Sequence, residues 1–186
     1  MRIVAGEYAS RRIKTLDSDS TRPTLDKVRE AVFSSLGGFF DGGAVLDLYA
    51  GSGACGLEAL SRGMDFAVFC DRNRAAAEVI RENIALLKAE QYCRVLNMAD
   101  NSALNLLRKE GAKFDLVYLD PPYRKQHNME ILRKLDEADL VSDGGRVVIE
   151  SLKEDQCEAQ VGLFILYKEA VYGISKISYY RCERKE

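Results

Sequence analysis

The tetrapeptide Asp120-Pro121-Pro122-Tyr123 directly follows an apolar, β-rich run, Leu116–Leu119. Proline has no N–H group, so the carbonyl groups here remain able to accept hydrogen bonds from a ligand. The Asp120 carboxylate and the Pro121 carbonyl can together accept both hydrogens of an exocyclic NH₂ group. Two fixed acceptors favour a pyramidal nitrogen and stabilise the positive charge that develops on it. Tyr123 offers a ring on which a flipped base can stack. The pattern predicts chemistry on an aromatic amine.

A glycine-rich loop follows another apolar run, in the sequence "VLDLYAGSGACGLEAL". Gly51, Gly53 and Gly56 have the spacing that binds a nucleotide-like cofactor when a strand precedes and a helix follows. Asp47 indicates which of two cofactors, NAD or S-adenosylmethionine, the loop would bind. A carboxylate would repel the pyrophosphate of NAD, whereas it would attract the sulfonium and ammonium groups of S-adenosylmethionine. Asp47 therefore favours S-adenosylmethionine.

Two further acids follow the next two predicted strands. Asp71 comes about 20 residues after the loop, where an acid that binds both ribose hydroxyls belongs. Asp100 is predicted to accept a hydrogen bond from the adenine amine. The predicted cofactor-binding residues are Asp47, Gly51, Ser52, Gly53, Asp71, Arg72, Asp100 and Asn101.

The elements that must position these residues alternate along the chain. Apolar residues recur at the helical period from Ala76 to Leu87, between two strand-like runs. Such alternation implies parallel strands with crossover helices, an α/β, Rossmann-like sheet flanked by helices. Val161–Tyr167 and Ile174–Arg181, with Gly173 near the junction, predict a terminal antiparallel pair. The other predicted strands are Ala44–Leu48, Phe66–Cys70, Cys93–Asn97, Phe114–Leu119 and Gly145–Glu150.

The N-terminal residues stand apart from this pattern. Ile3–Gly6 and Arg12–Leu16 predict a small β-hairpin that is too short to be stable alone. A helix is expected from about Leu25, because Pro23 and Thr24 form a start signal. We expect one methyltransferase domain over residues 1–186, with 1–22 as a hairpin extension and 23–186 as the catalytic core.

Composition excludes several classes of protein. The chain has 186 residues, of which 47% are apolar and 30% charged, as in an ordinary globular protein. No apolar run approaches the roughly 18 residues of a membrane span, and the N-terminus lacks the apolar core of a signal peptide. Five cysteines without a C-x-x-C pair, and a single histidine, argue against a disulfide framework and a metal site. We therefore expect a cytoplasmic protein without metal.

The motifs resemble one family over nearly the whole chain. The segments "RIVAGEYASRRIKT", "TRPTLDKVREAVFSSL", "GLEALSRGM" and "YGISKISYY", together with the two motifs above, are similar to the RsmD-type 16S ribosomal RNA guanine-N2 methyltransferases. Ala9-Ser10 and Gly173-Ile174-Ser175 depart from the family pattern.

The resemblance implies a seven-stranded sheet, S-adenosylmethionine as cofactor, and a guanine of 16S ribosomal RNA as target, within a small-subunit particle. Asp120, Pro121, Pro122 and Tyr123 would then be catalytic. Basic side chains can contact RNA phosphates. The predicted substrate contacts are Arg2, Arg11, Arg12, Arg22, Thr24, Arg29 and Arg124.

Other functions fit these residues less well. Asp47 argues against an NAD-linked oxidoreductase, and Asp120 stands where protein glutamine methyltransferases carry Asn. A non-catalytic RNA-binding protein would leave the glycine loop and three acids unexplained. Methylation of adenine N6 or cytosine N4 remains the alternative, although DNA amino-methyltransferases usually need a larger target-recognition region than the roughly 40 residues before the core.

Overall fold

The computed structural model describes residues 1–16, 23–122 and 127–184. The chain divides into two compact units, Met1–Asp100 and Asn101–Glu186. The described residues form five α-helices and eight β-strands. Within these residues, no helix combines the length and the apolar character that crossing a membrane requires.

The elements of the first unit are α1 (Pro23–Ser35), β1 (Ala44–Asp47), α2 (Ala54–Ser61), β2 (Phe66–Cys70), α3 (Arg74–Leu87) and β3 (Cys93–Leu96). The strands form a parallel sheet in the order β3-β2-β1. Helix α2 connects β1 to β2, and α3 connects β2 to β3, as the alternating sequence pattern predicts. In β1 and β2, Val45, Leu46 and Phe69 are inaccessible to solvent, whereas in β3 only Leu96 is buried.

Close packing of α2 on β2 depends on glycine. A Cβ atom added at Gly56 would lie 2.3 Å from Cε1 of the Phe69 ring, so only glycine lets the helix approach the strand this closely. Gly53, at the start of α2, adopts a left-handed conformation with φ of 81°, which glycine adopts without a steric penalty. The glycine loop is therefore built both to turn sharply and to pack α2 on the sheet.

The elements of the second unit are α4 (Asp100–Lys109, which starts at the last residue of the first unit), β4 (Phe114–Leu119), α5 (Asn128–Glu137), β5 (Val141–Leu152), β6 (Gln160–Val161), β7 (Phe164–Tyr172) and β8 (Ser175–Cys182). The strands form a mixed sheet in the order β4-β5-β8-β7-β6. Strands β4 and β5 are parallel, whereas β5–β8, β8–β7 and β7–β6 are antiparallel.

Several strand predictions need correction. The predicted run Val161–Tyr167 is interrupted at Gly162, whose φ of 56° ends the two-residue strand β6 before β7 begins. This adds one strand to the seven that the resemblance implies. Strand β5 begins at Val141 rather than Gly145. The antiparallel terminal pair is confirmed, with a turn around Gly173.

The N-terminal segment is a looser hairpin than predicted. Its strands reduce to one antiparallel bridge between Arg2 and Arg12, supported by a hydrogen bond from the Ile3 N–H to the Arg11 carbonyl at 3.0 Å. Gly6 presses against the end of α2, because a Cβ atom there would lie 1.7 Å from the Ser61 carbonyl oxygen. The segment is therefore held by contacts with the first unit rather than by its own strand pairing.

The main anchor of this segment is the fully buried Glu58 carboxylate on α2. Its Oε2 accepts the Val4 N–H at 2.8 Å, and its Oε1 accepts the Ala5 N–H at 3.1 Å. The guanidinium groups of Arg29 and Arg62 flank the same carboxylate, with Nε to oxygen distances of 3.3 and 2.7 Å. A buried carboxylate needs such partners, because an uncompensated charge in the interior is costly.

We expect Glu58→Gln to lower the free energy of unfolding by about 3–5 kcal/mol, because it leaves two buried guanidinium groups without their common anion. The matched control is Glu82→Gln, since Glu82 pairs with Lys14 at 2.6 Å on an exposed surface and should contribute less than about 1 kcal/mol. Denaturant unfolding measures both variants. Equal effects of the two substitutions would contradict an anchoring role for Glu58.

Candidate active site

Asp47 ends β1 and has almost no contact with solvent, at 2% relative exposure. Its Oδ2 accepts the Gly56 N–H at 2.9 Å, so it satisfies a backbone donor in the first turn of α2 that the helix itself leaves free. Burial raises the pKa of Asp47 to about 7; the Gly56 hydrogen bond opposes this rise and the negative charge of Asp71 adds to it. This carboxyl group would be stabilised by a cationic ligand.

The glycine loop is fastened to the end of β2 through Asp71. Asp71 Oδ2 accepts the Gly51 N–H at 3.0 Å, and its Oδ1 accepts the Asn73 N–H at 2.8 Å. A carboxylate oxygen has two lone pairs, so each oxygen can still accept a ribose hydroxyl. Gly51 has φ of 55°, and a Cβ atom there would have no described atom within 4 Å. The loop thus presents an open backbone surface beside a carboxylate.

Asp100 follows β3 and pairs with a residue that the motif analysis did not single out. Its Oδ2 accepts a hydrogen bond from the Tyr49 hydroxyl at 2.7 Å. Asn97 donates from its side-chain amide to the Asp71 carbonyl at 2.9 Å. The position of Tyr49 between Asp47 and the glycine loop was the only signal in the sequence that could have indicated it.

These donors and acceptors fit S-adenosylmethionine better than a dinucleotide. In phosphate-binding loops, free backbone N–H groups at the helix start hold the anion. Here the Gly51 and Gly56 N–H groups donate to the carboxylates of Asp71 and Asp47 instead. An arrangement of carboxylates around the loop is complementary to positive charge and to hydroxyl or amine donors.

The three remaining predicted cofactor contacts are Ser52, Arg72 and Asn101. Ser52 is partly buried in the loop, and its hydroxyl lies 3.8 Å from the Met1 sulfur. Arg72 and Asn101 are exposed, directly after Asp71 and Asp100 respectively. Their contact with cofactor stays a prediction.

In the second unit, the described part of the proline motif leaves the sheet at the end of β4. Asp120 and Pro122 are exposed, whereas Pro121 is buried. The parallel register of β4 and β5 pairs Leu119 with Ile149, so Asp120 lies level with Glu150 on the next strand. Burial raises the pKa of Glu150, while a hydrogen bond from Ser175 opposes the rise. The end of β4 therefore carries one exposed acid level with a second, half-buried one. Tyr123 lies outside the described residues.

The predicted substrate contacts separate into three groups. Arg2, Arg11 and Arg12 are exposed on the N-terminal segment, although Arg11 also donates to the Leu86 carbonyl at 3.0 Å. Arg29 is only 4% exposed and is bound to Asp26 and Glu58. Its burial argues against the predicted contact with substrate. Through Glu58 it is instead part of the anchor of the N-terminal segment. Arg22, Arg124 and the side chain of Thr24 lie outside what the structure describes.

Metal and thiol chemistry find no support in the described residues. Within residues 1–16, 23–122 and 127–184, no cluster of three His, Cys, Asp or Glu side chains could hold a metal ion. Burial raises the pKa of the Cys70 and Cys93 thiols to about 12, and the protonated thiol is a poor nucleophile.

Known proteins with similar sequences and structures are methyltransferases or are described only as conserved proteins. A family model described as "Conserved hypothetical protein 95" matches residues 1–181. "Ribosomal RNA small subunit methyltransferase D" of Escherichia coli K12 is 34% identical over 93% of this chain and 85% of its own length.

Two solved structures are similar over most of the chain. "Putative methyltransferase yhhF from Escherichia coli" has a TM-score of 0.83 and 32% identity over 100% of this chain and 99% of that one. A conserved hypothetical protein of Streptococcus pyogenes has a TM-score of 0.79 and 40% identity over 83% of this chain and 95% of that one.

We expect Asp47→Asn to stabilise the fold in a pH-dependent way, because asparagine can still accept the Gly56 N–H but carries no charge. The pKa of Asp47 is about 7 in the folded protein against an ordinary value of 3.8, so its stabilising contribution is complete below about pH 4 and is lost as the pH rises through 7. The difference in unfolding free energy between variant and wild type should therefore grow in favour of the variant across this window. Denaturant unfolding at several pH values measures it.

The same variant should bind S-adenosylmethionine at least about 10-fold more weakly at pH 8, where the wild-type carboxyl is ionised, a loss of about 1.4 kcal/mol. Isothermal titration calorimetry measures this affinity. A variant that gains stability yet binds the cofactor as tightly as wild type would show that the Asp47 charge does not contribute to cofactor binding.

Proposed function

The chain belongs to the family described as "Conserved hypothetical protein 95", the RsmD-type class I S-adenosylmethionine-dependent methyltransferases. We propose that it methylates the exocyclic N2 amine of a guanine in 16S ribosomal RNA. The observation that carries the proposal is the end of β4, where an exposed carboxylate precedes two residues without N–H groups. The name of the Escherichia coli relative supports ribosomal RNA of the small subunit as the substrate.

S-adenosylmethionine, when bound, supplies an electrophilic methyl group on a positively charged sulfur. Asp47 would face that charge and the ammonium group. It is buried, and the groups that act on its carboxyl are the Gly56 N–H and the Asp71 carboxylate. Asp71 would take the ribose hydroxyls with the lone pairs that Gly51 and Asn73 leave open. Asp100 would accept a hydrogen bond from the adenine amine.

The proline motif would act on the amine. The Asp120 carboxylate and the Pro121 carbonyl accept its two N–H groups, which turns the nitrogen lone pair out of conjugation with the ring. As the nitrogen acquires positive charge, the Asp120 carboxylate stabilises it and then takes up the proton that the amine loses. Acceptors that are fixed by rigid backbone need no reorganisation during the reaction.

The N-terminal segment would contact the RNA backbone. Arg2, Arg11 and Arg12 give it exposed positive charge on a protein with a net charge of −2, and local charge rather than the sum attracts phosphate. The reaction would take place in the cytoplasm, where ribosomal subunits assemble.

The first experiment offers S-adenosylmethionine labelled in its methyl group together with one acceptor at a time. The acceptors are unmodified small-subunit particles, naked 16S RNA, duplex DNA and a protein extract, and nucleoside digestion identifies the product. We expect label in N2-methylguanosine from particles or from RNA. Label in N6-methyladenine, N4-methylcytosine or protein would contradict the guanine assignment while keeping methyl transfer.

We expect Asp120→Asn to reduce turnover by about 10²–10³-fold, because the amide replaces a charged acceptor with a neutral group that presents its own N–H donors. Cofactor affinity should stay within about 2-fold of wild type, since Asp120 is assigned to the amine. Turnover with labelled cofactor and calorimetric binding measure the two quantities. The control is Glu154→Gln, which changes an exposed acid of the same unit that pairs with Lys153 at 3.8 Å. A parallel loss of cofactor affinity in Asp120→Asn would contradict the role assigned to Asp120.

A further inference from the structure

The fully buried amide of Asn83 on α3 joins two segments to which different ligands have been assigned. Its Oδ1 accepts the Lys14 N–H at 2.7 Å, and its Nδ2 donates to the Lys14 carbonyl at 3.0 Å. The same Nδ2 donates to the Ser52 carbonyl at 2.9 Å. One side chain therefore holds the backbone of the N-terminal segment and the backbone of the glycine loop at the same time.

The contact to Ser52 fixes a peptide unit at the centre of the glycine loop. The carbonyl of the Ser52–Gly53 peptide is held by Asn83, and the N–H of the same peptide donates to the Ala50 carbonyl at 2.7 Å. Gly51 and Gly53, on either side of Ser52, are both left-handed and gain no rigidity from side chains. The orientation of this peptide therefore depends on its hydrogen bonds, of which Asn83 provides one.

The contact to Lys14 fixes the end of the N-terminal segment that carries Arg2, Arg11 and Arg12. Both backbone polar groups of Lys14 are bound by Asn83, whereas the Lys14 ammonium group pairs with Glu82 at 2.6 Å on an exposed surface. The backbone of Lys14 is thus tied to α3 independently of its charge. Losing the Asn83 amide would release the segment here while Glu58 still holds it at Val4 and Ala5.

On these grounds we propose that Asn83 is a positioning residue that couples the binding of S-adenosylmethionine to the binding of RNA, without contacting either. The RNA half of this inference rests on the function proposed above. Because one amide binds both backbones, a ligand that favours one geometry of the glycine loop also favours one geometry of the Lys14 backbone, and the reverse holds for a ligand on the N-terminal segment. The coupling must be reciprocal, because it is an equilibrium property.

The test uses S-adenosylhomocysteine, which cannot transfer a methyl group, and the RNA or particle that wild-type protein binds. We expect wild-type affinity for S-adenosylhomocysteine to rise about 5-fold or more when RNA is saturating, and RNA affinity to rise by the same factor with S-adenosylhomocysteine. Calorimetry and fluorescence anisotropy measure the two affinities. No change in either direction would overturn the proposal.

The decisive variant is Asn83→Asp, which keeps an acceptor for the Lys14 N–H but removes both N–H donors. We expect it to bind each ligand at least about 5-fold more weakly and to reduce the mutual enhancement towards one-fold. At saturating cofactor and RNA its turnover should remain within about 3-fold of wild type, because Asp120 and Pro121 are unchanged. A purely structural role would lower the amount of active protein without changing the two affinities of the folded fraction.

Glu82→Gln is the matched control, because it alters the neighbouring residue on α3 and removes the exposed pair with Lys14 while leaving the Asn83 hydrogen bonds in place. It should keep wild-type coupling. If Asn83→Asp does not fold, Asn83→Ser provides a smaller polar side chain for the same measurements. Coupling that persists in a folded Asn83 variant would overturn this inference alone, whereas a wild-type protein that produces no N2-methylguanosine would overturn the proposed function.

Discussion

Two carboxylates that bind backbone N–H groups hold α2 in place, and both candidate binding regions of the first unit depend on them. Asp47 accepts the Gly56 N–H in the first turn of the helix, and Glu58 accepts the Val4 and Ala5 N–H groups from the N-terminal segment. A helix of eight residues is not stable by itself. Its contacts therefore fix the glycine loop on one side and the N-terminal segment on the other.

The two carboxylates differ in how their charge is balanced. Glu58 is flanked by two guanidinium groups, so its negative charge is compensated within the protein. Asp47 is equally inaccessible, yet its described partner is a neutral N–H group and burial raises its pKa to about 7. A buried acid with a raised pKa and no counter-charge is expected where a ligand supplies that charge. This contrast indicates a structural role for Glu58 and supports the cofactor-binding role that we propose for Asp47.

The sequence predicted those features that depend on residues close together in the chain. Strands Phe66–Cys70 and Phe114–Leu119 have the predicted bounds, because the first is a continuous apolar run, the second is apolar except for Asp115, and polar residues flank both. The glycine loop was predicted from its spacing together with the strand before it and the helix after it. By contrast, the Glu58 contacts join residues 53 and 54 positions apart, and the Asn83 contact to Lys14 spans 69 positions. No local pattern specifies such pairs. The burial of Arg29 was not predicted for the same reason, since its buried partner Glu58 lies 29 positions away.

In both units, an aspartate lies at or after the end of the strands that carry the candidate site residues. Asp47, Asp71 and Asp100 end or follow β1, β2 and β3, and Asp120 follows β4. The Asp47 and Asp71 carboxylates already bind nearby backbone N–H groups, whereas the two prolines after Asp120 have no N–H group to donate. All these groups therefore present acceptors and negative charge, which favours ligands that bring donors and positive charge. A sulfonium cofactor and an amine whose nitrogen becomes positively charged both meet that requirement. A dinucleotide would meet repulsion at the same loop, because its pyrophosphate would face carboxylates in place of free N–H groups.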